Sequence, residues 1–541
     1  MQQCTLSLWR FDENAGEYKG IYRNEIIIGV CGNIAAMASL VSIDNAQCRI
    51  SAQVLLTIEH FAIEQGQHWC VLGRNGSGKT LLANLLAGKR LESNSYVSYG
   101  PQFDPVHDLH TVSFEEQQRL WERDNRLDIS QYSGDAQDTG TLVEDFVRAS
   151  RSRVDQDQGF FGDLTGQLGL STVLTKGIRF LSSGQVRKVL IARALYAYRD
   201  GLPQLLILDD PLESIDRESR QQIRSTINRH MTPQFSSLQL CRRQQDILPG
   251  TSHLALMQRS SSRMTLGRQG LLTEVSRSTQ FTDMTSPKVE LCGSLDELLP
   301  VKIAARDLEE ELIRLVDVDA RYGDLSVLNK LSWVMTAADH VLIEGPNGCG
   351  KSTLLSLIDG ENHKGYGQQL YLFGRLKGSG ETIWETKKNF GLVSNELHNK
   401  YSKGWRVLDV VISGFFDSVG LYDASGSAQG ELARRWLTAL GLEQWQKQYY
   451  HEISFGQQRL VLLARAMVKN PRILILDEPC VGLDDYHRKL IMKVLDAIAE
   501  RSLTNILYVT HVADEQPRCI NQVLRFIKND AGGYAVEQTE K

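Results

Sequence analysis

Proline is scarce in this chain, 12 in 541 residues, and with 42% hydrophobic and 23% charged residues the composition excludes a low-complexity chain and fits a soluble globular one. Excess charge of either sign is also missing. A net charge of -5 and a pI near 6.2 offer no global attraction to nucleic acid, so any polyanion would have to meet a local basic patch. The RSSSR run from Arg259 to Arg263 reads most simply as a solvated turn. Paired cysteines are absent: Cys4, Cys31, Cys48, Cys70, Cys241, Cys292, Cys349, Cys480 and Cys519 contain no C-x-x-C. That argues against a disulfide framework, a metal site or an iron–sulfur cluster, and for a reducing, cytoplasmic setting. Long hydrophobic runs are lacking too. The one membrane-like stretch, Ile26 to Ile43, is interrupted by Asn33, Ser39 and Ser42 and is polar for a span. It is expected to be an extra N-terminal strand, or part of an extension over residues 1–36 that need not be native, because Met37 opens MASLVSIDNAQCRIS and this already reads as a first strand.

What the chain has is repetition. GRNGSGKT occupies Gly73, Arg74, Asn75, Gly76, Ser77, Gly78, Lys79 and Thr80. GPNGCGKST occupies Gly345, Pro346, Asn347, Gly348, Cys349, Gly350, Lys351, Ser352 and Thr353. Such a loop needs glycines so that backbone N–H groups can converge on phosphate oxygens, a lysine for the outer phosphates and a hydroxyl for Mg²⁺. In each copy a short apolar strand (HWCVLG, HVLIEG) runs in and an apolar helix (TLLANLLAG, STLLSLIDG) leaves, which puts the loop at a helix N-terminus.

Further on, QLLILDD and RILILDE are continuous apolar runs, as in strands buried on both faces of a parallel sheet, ending in Asp209 and Asp477. These acids, with Thr80 and Ser352, are the expected Mg²⁺ contacts of an ATP-hydrolysing site. Glu478 is placed to orient and deprotonate water, and His511, ending NILYVTH, to reach the γ-phosphate. Before each acid strand stands a short peptide opening an amphipathic helix, Ser182, Ser183, Gly184 and Gln185 in one half and Ser454, Phe455, Gly456 and Gln457 in the other. It could be a second phosphate cradle or an ordinary capped helix start. The offset between copies is 272 residues for Lys79 and Lys351 and for Gly184 and Gly456, and 268 for Asp209 and Asp477, which means duplication. The fold class is therefore α/β, with two tandem modules, each a mixed, mostly parallel sheet with an inserted helical segment. The expected division is 37–280, a linker over 281–310 ending in an acidic helix, and 311–541.

The order of loop, signature peptide, acid strand and histidine strand resembles the ATP-binding cassette superfamily. That resemblance implies two cassettes closing head to tail, so that ATP lies between the loop of one and the signature of the other. Lys351, Asp477, Glu478 and His511 would then face Ser182 to Gln185, and Lys79 and Asp209 would face Ser454 to Gln457. Tyr322 stands where the family stacks an aromatic on adenine, although it could also be a buried strand tyrosine. The first cassette departs from the pattern. Asp210 replaces the glutamate, drawing its carboxylate back by about 1.5 Å, Cys241, Arg242 and Arg243 stand where the histidine belongs, and Cys48 lies near the adenine position. Neither half has an unambiguous interface glutamine, with Asn395 and Glu115 near the expected places. One competent and one degenerate ATP site follow.

Within the superfamily, NHKGYGQQLYLFGRLKGSGETIWETKKNFGLVS and VISGFFDSVGLY resemble the ModF-type two-cassette molybdenum-transport ATP-binding proteins. This implies an ATPase at the cytoplasmic membrane face, working with an integral-membrane permease in molybdate uptake, with no nucleic acid partner. Val407 to Tyr422 is a candidate permease-docking surface, or simply core. The alternative is a soluble tandem-cassette ATPase acting on ribosomes or in regulation or DNA repair. Ribosomal factors of that kind use a long basic linker, whereas this one is short and acidic toward its end.

Overall fold

The computed structural model describes residues 8–12, 17–21, 39–51, 54–89, 96–126, 140–151, 157–199, 202–213, 215–260, 263–290, 295, 298–299, 309–322, 325–401, 404–421, 426–501, 504–510, 516–528 and 534–541. Residues Met1–Ala38 form a unit of their own, in which Leu8–Asp12 pairs antiparallel with Glu17–Ile21. Of the run Ile26 to Ile43, Ser39–Ile43 open a strand of the larger unit, Ser39–Lys541, and the rest lie outside the described residues. Among the described residues no helix is long and apolar enough to cross a membrane.

The N-terminal half is one nine-stranded sheet. Its strands are β1 (Ser39–Ser51), β2 (Val54–Glu64), β3 (His68–Gly73), β4 (Tyr96–Tyr99), β5 (Leu109–Val112), β6 (Leu205–Asp209), β7 (Ser236–Cys241), β8 (His253–Ser260) and β9 (Arg263–Leu271), in the order β4-β1-β2-β9-β8-β3-β7-β6-β5. The neighbours β8, β3, β7, β6 and β5 run parallel. The strands β3 and β7 are buried along their whole length, and β6 up to its terminal aspartate. This is why they read as unbroken apolar runs rather than alternating ones.

The C-terminal half repeats the core with β10 (Glu311–Tyr322), β11 (Leu325–Thr336), β12 (Val341–Glu344), β13 (Gln369–Leu372), β14 (Arg375–Leu376), β15 (Phe390–Val393), β16 (Ile473–Asp477), β17 (Asn505–Thr510), β18 (Gln522–Lys528) and β19 (Tyr534–Glu540). Here there are two sheets, a four-stranded β11-β10-β13-β14 and a six-stranded β15-β16-β17-β12-β18-β19. The helices that matter for function are α1 (Lys79–Leu86), α2 (Ser183–Tyr196), α3 (Lys351–Ile358), α4 (Phe455–Met467) and α5 (Asp485–Arg501).

Of the two readings of Val407 to Tyr422, the described residues fit the core: Val407, Val410, Val411 and Ile412 are buried with Trp436, Leu437 and Leu460, and Phe415, Phe416, Val419 and Leu421 pack against them. Its apolar spacing is that of a helix facing inward. The stretch 281–310 is also partly packed. Helix Thr279–Thr285 buries Phe281 and Met284 beside Cys70, Leu72 and Cys241, while Leu295, Leu298 and Leu299 join the C-terminal core. The expected acidic helix falls largely on residues outside the described ones, and Glu311 already opens β10.

Candidate nucleotide sites

Each phosphate loop is a strand-to-helix turn whose last glycine is left-handed, Gly78 at φ 101° and Gly350 at φ 110°. Gly73 is needed for a close approach, because a methyl there would sit 2.5 Å from Ser77 Oγ and 2.7 Å from the Met257 carbonyl. The lysines fold over their own loops. Lys79 Nζ donates to the carbonyls of Gly73 (2.7 Å) and Arg74 (3.1 Å), and Lys351 Nζ to those of Gly345 and Pro346 (2.8 Å each). Burial lowers the Lys79 ammonium below its usual range, with Asp210 pulling the other way. Ser77 Oγ is buried without a protein partner. An orphaned hydroxyl beside a buried ammonium at a helix N-terminus fits an incoming phosphate.

Thr80 Oγ1 donates to Asp209 Oδ2 at 2.8 Å, pairing two hard oxygen donors of the kind Mg²⁺ takes. Ser352 and Asp477 occupy the equivalent positions on α3 and β16. Burial first, then the adjacent Glu478, raises the Asp477 carboxyl to about 6. Such a group favours a neighbouring cation.

The residues after these aspartates share a strained backbone, Asp210 at φ 45° and Glu478 at φ 51°, in the left-handed region that non-glycine residues rarely enter. Their surroundings differ. Asp210 Oδ2 is 2.8 Å from Arg242 Nε, and Arg242 Nη1 also donates to Glu213 Oε1 at 2.8 Å. Burial raises the Asp210 carboxyl well above its usual range, and the guanidinium opposes that shift only in part. Burial alone would lower Arg242, but Asp210, Glu213 and Asp209 outweigh it and hold the charge in place. The pair is a fixed ion pair. His511 lies outside the described residues.

Both signature peptides are capping boxes. Ser182 Oγ accepts from Gln185 N (3.3 Å) while Gln185 Oε1 accepts from Ser182 N (3.0 Å); for Ser454 and Gln457 the distances are 3.4 and 2.9 Å. Five positions after each cap serine, Arg187 and Arg459 are buried arginines that the motifs do not include. Arg187 Nε donates to Gln117 Oε1 at 3.2 Å and its Nη1 to the Asp210 carbonyl at 3.1 Å, while Glu115 makes an exposed pair with Arg119. Arg459 donates to Asn395 Oδ1 and to the Ser394 carbonyl.

Behind Phe455, His398 packs on its ring at 4.8 Å and meets Tyr450 Oη at 2.9 Å. Burial and then Arg459 lower the imidazole to about 4, against 6.5 unfolded. A lowered basic group is lost from the folded state's favour as pH falls through the unfolded value. Between pH ~7 and ~5, wild type should therefore lose up to about 2 kcal/mol of stability relative to His398→Gln. Denaturant unfolding at both pH values checks this. A difference that stayed constant would mean the ring protonates freely when folded.

The two halves meet at the N-terminal loop. Asn75 N donates to Asp484 Oδ2 and Asn75 Nδ2 to the Gly482 carbonyl, both at 2.8 Å, and the Arg74 guanidinium lies 5.0 Å from the Tyr486 ring. A methyl on Gly76 would be 3.7 Å from Ser454 Cβ, so this loop does face the other half's signature. Asp484 and His487 were not anticipated. Asp484 is 0% exposed, and its Oδ1 accepts from the backbone (2.9 Å) and Nδ1 (2.8 Å) of His487. Burial would raise its carboxyl, but these bonds and that of Asn75 hold it well below the usual range. The His487 ring in turn fills the space above Gly456, where a methyl would come within 2.3 Å.

The opposite pair is more open. Pro346, Asn347 and Gly348 are exposed, as are Ser182 and Ser183, and a methyl on Gly348 or Gly184 would meet nothing within 4 Å. Gly345, Cys349 and Thr353 are less exposed, and Cys349 Sγ lies 3.9 Å from Lys351 Nζ. Tyr322, at the end of β10, is 45% exposed, with Lys364 Nζ 4.8 Å from its ring and its hydroxyl accepting from Asn362 at 2.9 Å. Cys48 is buried in the core of the first half and offers no stacking face.

The family model described as ABC transporter matches the chain twice, over residues 56–213 and 328–481. The ABC transporter ATP-binding protein ModF of Escherichia coli (strain K12) is 34% identical over 90% of this chain and 96% of its own length. An uncharacterized ABC transporter ATP-binding protein of Schizosaccharomyces pombe is 25% identical over 90% and 97%. Among solved structures, an archaeal ribosome recycling factor in complex with the ribosomal stalk protein superposes with a TM-score of 0.59 at 14% identity, covering 92% of this chain and 90% of that one. The RNase-L Inhibitor gives 0.55 at 15%, covering 91% and 90%. At such identities these two speak for the fold alone. Two matched cassettes and a full-length relative settle the family: the chain is an ATPase of the ABC transporter family, a tandem-cassette protein of the ModF type.

Proposed function

We propose that this ATPase binds Mg²⁺–ATP between its halves and hydrolyses it at the C-terminal phosphate loop, as the energising component of molybdate transport beside an integral-membrane permease at the cytoplasmic face of the membrane. The cassettes are taken as 37–280 and 311–541. The observation that carries the asymmetry is the different fate of two equivalent carboxylates: Asp210 is held by Arg242 at 2.8 Å, while Glu478 follows a raised Asp477 at the end of β16. In the C-terminal site Lys351 and the amides of Gly348 and Gly350 hold phosphate oxygens, and Tyr322 offers a face to adenine. Ser352 and Asp477 hold Mg²⁺, which when bound offsets charge on the outer phosphates. Glu478 orients water and takes its proton, and His511 reaches the γ-phosphate. In the N-terminal site, Lys79, Thr80 and Asp209 are present, but the base is tied up and no histidine follows β7. That site binds ATP and turns it over slowly.

The molybdate assignment is supported by the resemblance to ModF-type proteins and by the ModF relative over nearly its whole length. The test is to trap the closed form with Glu478→Gln and ATP, then recover it from membranes and from ribosomes. A membrane permease should co-purify and lose the ATPase when molybdate-free, ATP-free buffer is used. Recovery with ribosomal particles and no membrane protein would replace this reading by the ribosomal one.

A further inference from the structure

The Arg242 position departs from the family pattern, and the departure adds a contact. Besides pairing with Asp210 and Glu213 of its own half, Arg242 Nη1 donates to the Gly482 carbonyl of the other half at 2.6 Å. The same carbonyl accepts from Asn75 Nδ2 at 2.8 Å, so two donors from the N-terminal half converge on one acceptor of the C-terminal half. Two residues on, Asp484 accepts from Asn75 N. Every one of these bonds runs from protein to protein. Charge-assisted bonds of this type are about twice as strong as neutral ones.

On the other side Asp216, which corresponds to Asp484, likewise caps its own helix by accepting from Ser219 N at 3.0 Å, and the residues matching Gly482 and Arg242 lie outside the described ones. The loops it would meet, at Asn347 and Gly348, are exposed.

We propose that Arg242 is a positioning residue, a strap that keeps the N-terminal phosphate loop joined to the Gly482–Asp484 loop in the absence of nucleotide, so that the halves open and close about this joint and part only at the C-terminal loop. A planar guanidinium can do this because it reaches two carboxylates and a carbonyl at once, which a histidine cannot. The strap does not depend on whether the N-terminal site hydrolyses ATP.

Hydrogen exchange on the full chain without nucleotide tests it. In wild type, amides in 73–79 and 480–487 should exchange at least about tenfold more slowly than those in 345–351 and 182–186. Arg242→Ala should remove that difference by speeding exchange in 73–79 and 480–487, with saturating Mg²⁺–ATP slowing both loop pairs, and Arg242→Lys should fall between. Protection of Leu205–Leu208 reports that the variants are folded. ATP turnover supplies a second readout: KM should rise by about fivefold or more in Arg242→Ala, with a smaller change in kcat. Equal exchange at the two loop pairs in nucleotide-free wild type, or unchanged protection in folded Arg242→Ala, would overturn the strap. Neither result would bear on which site cleaves ATP.

Discussion

Replacing Glu478 by Gln should slow steady-state phosphate release roughly 10²- to 10⁴-fold, the range for loss of a positioned general base, while Asp210→Asn should change it by less than about twofold. The two residues have the same strained backbone, at φ 51° and 45°, and both follow the acid at the end of a buried parallel strand. Backbone placement therefore cannot distinguish them. What sets Asp210 apart is its ion pair: Arg242 holds one of its oxygens at 2.8 Å and shares the same guanidinium with Glu213, which fixes the shorter carboxylate in place. Removing its charge weakens an ion pair rather than a reaction step. Comparable losses in the two variants would mean that both sites cleave ATP and would end the asymmetric reading.

Trp436→Ala should destabilise the C-terminal half by about 3–5 kcal/mol, the usual cost of truncating a large core aromatic. Its ring is fully buried among Tyr401, Val407, Val410, Leu437 and Leu460. The indole N–H has no partner there, so part of the loss is offset and the lower end of the range is expected. Trp436→Phe keeps most of the volume without the orphaned donor and should cost clearly less. Trp384, 58% exposed, is the control, and its change to Ala should stay within about 0.5 kcal/mol. Urea unfolding of the three variants decides between them. Equal effects at positions 384 and 436 would show that the core around Val407–Ile412 is not packed as described.

Local chemistry made much of this legible in the sequence. Glycine spacing around Lys79 and Lys351 encodes a turn that few other residues can make, and the apolar runs ending at Asp209 and Asp477 could only be strands covered on both faces. Contacts between the halves were not legible. Arg242 and Gly482 are 240 residues apart, and nothing near either one points to the other. Arg242 looked like a lost histidine because a one-dimensional comparison registers the missing residue and not the bond its replacement makes. The Gln117 partner of Arg187 was not legible for a smaller reason: it sits beyond Glu115, on the helix that follows β5. Val407–Tyr422 shows the limit of periodicity, since an apolar helix face has the same spacing whether it meets a partner or its own core.

The sheets of the two halves also differ in one respect with mechanical meaning. In the N-terminal half, Arg263–Thr265 pair with Leu55–Thr57, which welds the strands around Cys48 to those that carry Lys79 and Asp209. In the C-terminal half no such ladder joins the sheet bearing Tyr322 to the sheet bearing Asp477, among the described residues. The first half thus carries a continuous backbone ladder from its adenine side to its phosphate side, whereas the second joins the two layers through a shared core and side-chain bonds such as Trp333 Nε1 to Gln522 Oε1 at 2.7 Å.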